Sequence, residues 1–157
     1  MLTLRPASLD WALDHALNFG DTTMLPLPFE YEAIQYDWAE VRKVLEKEDI
    51  LKWTVRPHRT MLSPKAKYGF RIITQLDPLD FLIYAALVKE IGAHIENARV
   101  DRSVVFSYRF SPGTEGRLFD PSFGTQTTTG FSRTAIHRPI GILRFSLIQL
   151  SHLLSSI

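Results

Sequence analysis

The sequence predicts an α+β fold: a helical N-terminal part, then a β-hairpin, then one long buried helix. Three observations carry this. Apolar residues recur at helical spacing in Leu9, Ala12, Leu13, Ala16 and Leu17 and again in Trp38, Val41, Val44 and Leu45. From Ile50 the pattern shifts towards alternation, with a Pro/Gly-containing turn between Pro64 and Gly69. A nearly continuous apolar run then follows Asp77-Pro78, too long for a strand.

Ser8 is expected to cap the first helix, with Asp10 near its positive end and Gly20 as its stop. Met24 to Glu30 holds two prolines and predicts an extended connector. Asp37 and Glu40 have the spacing of a capping box for the second helix. Residues 51–57 and Arg59 to Leu62 read as short strands, because Trp53, Val55 and Met61 alternate with polar neighbours. Phe70 to Thr74 forms the returning strand. Asp77 suits an N-cap, Pro78 the first helical position and Asp80 the first turn of a helix over Phe81 to Ile95. Ser103 to Phe110 is a further strand candidate, before the turn at Ser111-Pro112-Gly113. Ile136, Ile140, Leu143, Leu147, Leu150, Leu154 and Ile157 follow amphipathic helical spacing, weakened at the start by Pro139 and Gly141.

A chain of 157 residues with 45% hydrophobic content is long enough for one core. It has no cysteine, which excludes disulfides, thiolate nucleophiles and cysteine-ligated zinc and fits a cytoplasmic location. The stretch MLTLRPASLDWALD lacks the basic and apolar regions expected of a signal peptide, and no run of 18 apolar residues occurs. Net charge is +1, but its distribution is uneven. All 17 acidic residues and all six lysines precede Pro121, and 11 of the 37 residues from there onward are Ser or Thr. Three segments follow: 1–49, a helical extension; 50–124, the charged and β-containing part; and 125–157, a tail of different composition.

Between Asp49 and Asp77 there is no acid, while Lys52, Arg56, Arg59, Lys65, Lys67 and Arg71 concentrate positive charge, with His58 beside them. Such a field suits phosphate. Lys65 and Arg71 flank the turn and could reach one polyanion, arginine through its two-point fork and lysine as a point charge. A solvated edge strand whose lysines protect against aggregation would leave the same charge run, and on the run alone that reading is favoured. Asp77 and Asp80 could hold a divalent metal, yet their place around Pro78 favours helix capping. The five histidines, His15, His58, His94, His137 and His152, lack metal-ligand spacing. Ser107 lacks a nucleophile elbow, and no glycine-rich nucleotide motif occurs.

The blocks PKAKYGFRIITQLDPLDFLIYAAL, VVFSYRF and GRLFDPSFG, in that order, resemble the fingers and early palm of bacterial RNA-directed DNA polymerases of the retron and group II intron kind. The matching positions are Lys65, Gly69, Arg71, Pro78, Asp80, Ile83, Tyr84, Ala86, Leu87, Ser107, Tyr108 and Arg109. Tyr84 stands where many members have glutamine, and Tyr108-Arg109 replaces a commoner Gly-Phe-Arg. These departures are closer to the polymerases of phage defence.

The resemblance implies a partial right-hand polymerase fold over residues 50–124, with a palm strand starting near Ser103. It implies that Arg71 contacts an incoming nucleotide triphosphate with Lys65 beside it, and that Arg56, Arg59, Lys67 and Arg109 face nucleic acid. Its partners would be an RNA template, a DNA primer and deoxynucleoside triphosphates. The chemistry requires Mg2+ held by palm aspartates, and after Asp120 this sequence has no acid. The expectation is therefore a fragment without catalytic residues and without a bound metal of its own.

The resemblance fades near Gly124, where composition changes. The hypothesis is a frameshift near codon 124, with Thr125 to Ile157 translated out of frame. Palm blocks in another frame of the downstream DNA would support it, and their absence there together with relatives that share this tail would refute it. Two further readings stand beside it. One is a stand-alone nucleic-acid-binding module. The other is an interaction protein using the 136–157 helix, whose polar face (Arg144, Gln149, Ser151, His152) has too little charge for an anionic membrane. A chain lacking its palm would also expose apolar surface on the 77–95 helix and self-associate through it.

Overall fold

The computed structural model describes residues 1–20, 25–65, 69–101, 109–112 and 116–119. Among them the fold is α+β. It comprises α1 (Pro6–Phe19), α2 (Glu30–Tyr36), α3 (Trp38–Leu45), a 3-10 turn at Ile50–Lys52, β1 (Arg59–Lys65), β2 (Gly69–Gln75) and α4 (Pro78–Ala98). The strand expected over 103–110 lies outside the described residues except at its end, where Phe110 bridges Phe119. The tail helix over 136–157 lies wholly outside them.

α1 begins two residues before Ser8. Pro6 takes the first turn, where its missing N–H is not needed, and Ser8 is buried inside the helix rather than capping it. Gly20 ends α1 as expected: at φ 67° its N–H still reaches the Ala16 carbonyl. Asp10, expected to serve the helix dipole, instead accepts from Trp38 Nε1 at 2.8 Å and from Arg42 at 2.9 Å, tying α1 to α3.

The connector of the sequence reading ends in a helix the sequence did not suggest. α2 starts two residues after Pro28, with Phe29 as its N-cap residue, and Tyr31 is its buried anchor. α3 starts after Asp37 without the expected capping box. Asp37 makes no side-chain cap, and Glu40 turns to Lys43 at 2.6 Å.

α4 is the centre of the fold. Phe81 to Leu87 are all buried, which is why its N-terminal half reads as apolar on every side. α1 packs along it, and one core joins Leu9, Ala12 and Ala16 with Leu82, Ala86, Tyr31, Leu45 and Leu118. The core thus runs across residue 49 without a break. Leu9 and Leu82 expose no surface, and burial of each contributes about 1.5–3 kcal/mol. Further along α4, Gly92 leaves room for the Phe110 ring, which would lie 2.4 Å from a Cβ placed there. The apolar face expected on α4 is therefore covered through Leu87. The exposed large apolar side chains lie chiefly elsewhere, including Leu62, Phe70 and Ile72 on the hairpin.

Residues 51–57 do not form the predicted strand. Ile50–Lys52 is a 3-10 turn, and the backbone from Trp53 runs to β1 without a ladder partner. β1 and β2 pair antiparallel from Arg59↔Gln75 to Lys65↔Gly69. One face carries Arg59, Met61, Ser63 and Lys65 opposite Gln75, Ile73, Arg71 and Gly69. On this face Ile73 and Gln75 are buried, whereas Thr60, Leu62, Pro64, Phe70, Ile72 and Thr74 on the other are all exposed.

Candidate functional site

The hairpin register puts Lys65 and Arg71 on the same face. Arg71 lies directly opposite Ser63, and Lys65 opposite Gly69, so the two cations are diagonal cross-strand neighbours. Such Cα pairs stand about 7–8 Å apart, within reach of two long side chains meeting one ligand. Gly69 leaves its cross-strand slot empty, and the Lys65 stem fills it, with Cβ and Cδ 3.6 and 3.9 Å from where a glycine Cβ would sit. Lys65 is exposed and Arg71 half-buried.

The other predicted contacts have different surroundings. Arg56 is turned inward: its backbone N–H donates to Asp80 Oδ2 at 2.7 Å and its guanidinium to Asp80 Oδ1 at 3.3 Å. The guanidinium also lies 3.7 Å from Asp77 and 4.9 Å above the centre of the Trp53 ring. Arg59 donates to Glu30 Oε1 at the start of α2. Arg109 is 3% exposed and donates to Glu96 Oε1 at 2.7 Å and to the Val100 carbonyl at 2.9 Å. It fastens the 109–112 segment to the end of α4. Lys67 lies outside the described residues. The structure thus joins Lys65 and Arg71 at the tip, leaves Arg59 at the base of the same face, and separates Arg56 and Arg109 from both.

Asp80 holds the base of the hairpin. Buried on the first turn of α4, it accepts from Trp53 Nε1 at 2.7 Å as well as from Arg56. Asp77 caps α4 by accepting from the Leu79 N–H at 3.0 Å. Both carboxylates therefore serve the helix start and the segment before β1. Among the described residues, no group of three or more His, Asp or Glu side chains converges as a metal site.

Electrostatic shifts follow from these contacts. Burial would raise the Glu96 carboxyl, but hydrogen bonds from Arg109, the Phe110 N–H and Arg99 outweigh it and hold Glu96 below the usual range. The Glu30 carboxyl is held low by its own backbone N–H and by Arg59. Burial pushes the Tyr84 phenol up to about 12, and its hydroxyl has no hydrogen-bond partner among the described residues. The sequence carried no periodic signal for the Asp80–Trp53, Glu30–Arg59 or Glu96–Arg109 contacts. Two of the three span more than 25 residues of chain.

Comparison with protein-family models, curated proteins and solved structures finds no match to the chain. Among the described residues, no helix is long and apolar enough to cross a membrane.

Proposed function

We propose that residues 50–124 are the fingers and early palm of an RNA-directed DNA polymerase, and that the hairpin grips a nucleotide triphosphate through Lys65 and Arg71. The observation that carries this reading is their diagonal placement on one face, beside a glycine that leaves room for the lysine stem. Two cations converging on one polyphosphate supply the charge neutralisation that phosphoryl transfer needs on the leaving phosphates. The short link from β2 to the capped start of α4 fits a hairpin held at a set angle.

Transfer itself would require Mg2+ held by palm aspartates, and residues 121–157 contain no Asp or Glu. The function proposed for these residues is therefore triphosphate binding. A second reading, a nucleic-acid-binding module without catalysis, is favoured by Arg59 lying on the same face as Lys65 and Arg71.

Calorimetric titration with inorganic triphosphate and with a deoxynucleoside triphosphate tests the first reading. Lys65→Gln and Arg71→Gln should each weaken binding about tenfold or more, since a hydrogen bond to a charged group contributes about 1.5–3 kcal/mol. No binding of either ligand, or variants indistinguishable from the parent, would refute it. Steeply salt-dependent binding of an RNA–DNA hybrid without triphosphate binding would favour the second.

A further inference from the structure

The hairpin sorts its side chains by chemistry. Arg59, Lys65 and Arg71 all lie on the face that also carries Met61, Ile73 and Gln75. The opposite face consists of three cross-strand pairs, Thr60↔Thr74, Leu62↔Ile72 and Pro64↔Phe70, and none of the six residues is charged. All six are exposed, Leu62 at 65%, Phe70 at 67% and Ile72 at 60%. Among the described residues the sheet has only these two strands, and Ile73 and Gln75 are its only buried members. A two-stranded hairpin is marginal in water until a face is covered, so the outer face leaves stability unused.

Area and charge together narrow what covers it. At these exposures Leu62, Phe70 and Ile72 present roughly 350 Å², and with Pro64 and the two threonines the face reaches roughly 500 Å², as large as the patches that monomers keep for a purpose. Two such faces in contact would bury about 1,000 Å², the lower bound of a specific interface. A polyanion or an anionic membrane gains little here, because the cations of the strands point to the other side. Two copies of a basic hairpin repel through every surface that carries those cations, and this face carries none of them. Stacked sheets stand about 10 Å apart, which leaves the charges of both copies pointing outward into water. Helix α4 does not compete for the role, since Phe81 to Leu87 are buried in the chain's own core.

We propose that the outer face of the hairpin is an isologous interface, on which Leu62, Phe70 and Ile72 of one copy pack against the same residues of a second copy of this chain. The Leu62–Ile72 pair is the middle of the ladder and the centre of the contact. At this area the dimer is weak and reversible. The Lys65–Arg71 face stays open in each copy, and the inference does not depend on what that face binds.

Sedimentation equilibrium of the full chain across the micromolar range tests it, with every variant checked for native helix content. The parent should show a monomer–dimer equilibrium. Ile72→Lys and Ile72→Glu should each weaken it about tenfold or more, because like charges then meet in the contact. Leu62→Thr, which keeps a strand-forming residue and adds no charge, should weaken it about threefold. Mixed one to one, the Ile72→Lys and Ile72→Glu chains should associate about tenfold more tightly than either alone, and salt should erode that recovery. Tyr36→Lys, which replaces an exposed aromatic on α2, should associate as the parent does. A parent that stays monomeric, as it would if residues 136–157 covered this face within one chain, would overturn the inference. So would unchanged association of the Ile72 variants, loss of association in Tyr36→Lys, or a mixture that does not recover, which would pair the hairpin with a different surface of the second copy.

Discussion

Asp80 accepts a hydrogen bond from the Trp53 indole at 2.7 Å, joining the first turn of α4 to the segment that leads into β1. β2 is already tied to α4 by a two-residue link, Leu76-Asp77. Both strands of the hairpin are therefore anchored at one helix end, and the anchoring carboxylate is almost completely buried. A rigid base matters for the proposed function, because two cations meet one ligand only if the strands that carry them hold their register.

Asp80→Ala is expected to destabilise the protein by about 2–4 kcal/mol, since it strands the Trp53 indole and Arg56 backbone N–H groups and removes one carboxylate partner of the Arg56 guanidinium. A fully buried pair broken on one side costs about 3–5 kcal/mol, and partial exposure of Arg56 lowers the figure. Asp80→Asn, which keeps one acceptor, should cost less. Urea unfolding followed by tryptophan fluorescence checks both, and equal stability of Asp80→Ala and the parent would refute the anchoring role.

Arg109→Ala should destabilise by a comparable amount without changing affinity for triphosphate. The guanidinium is buried against Glu96 and the Val100 carbonyl rather than turned to a ligand. Truncation leaves the Glu96 carboxylate without its closest cation. Unfolding and binding measured on the same preparation separate the effects. Weakened binding at unchanged stability would return Arg109 to the ligand-facing set.

Much of this arrangement could be read from local chemistry, and the failures have physical causes. Asp77-Pro78 and Gly20 act on the helix turn next to them, so their roles as cap and stop needed no tertiary information. The hairpin from Arg59 to Gln75 and the buried run of α4 were equally legible. Residues 51–57 alternate like a strand, but the Arg56 N–H and Trp53 indole bond to Asp80, a partner that alternation cannot reveal. Asp37 and Glu40 have capping-box spacing, yet Lys43 takes Glu40. α2 is seven residues long after a proline pair, and its anchor is a single tyrosine. The proximity of Lys65 and Arg71 on one face was legible because the two flank the connection between paired strands. The partners of Arg56, Arg59 and Arg109 come from elsewhere in the chain.

Stability should fall as pH drops through the histidine range. His15 is buried in a stack with Trp11, Phe19 and Phe81, and its Nδ1 lies 2.6 Å from the Gly116 carbonyl, to which it donates. Burial pulls its pKa below the ordinary value, against the opposing pull of the Gly116 hydrogen bond. Unfolded His15 takes up a proton near pH 6.5, before the folded residue does. Its contribution is thus full above that pH and lost as pH falls from there through the depressed folded value. Urea unfolding between pH 7.5 and 5 should show this slope, and His15→Phe should flatten it. An equal slope in the variant would assign the pH dependence elsewhere.

The central claim is that triphosphate binds at the hairpin face bearing Lys65 and Arg71. Backbone amide chemical shifts of the isotope-labelled chain, followed during titration with inorganic triphosphate, test it residue by residue. The largest saturable shifts are predicted at Ser63, Lys65, Gly69 and Arg71, with little change at Arg109 or along α1. Saturable shifts centred away from the hairpin, or none at all, would contradict the account.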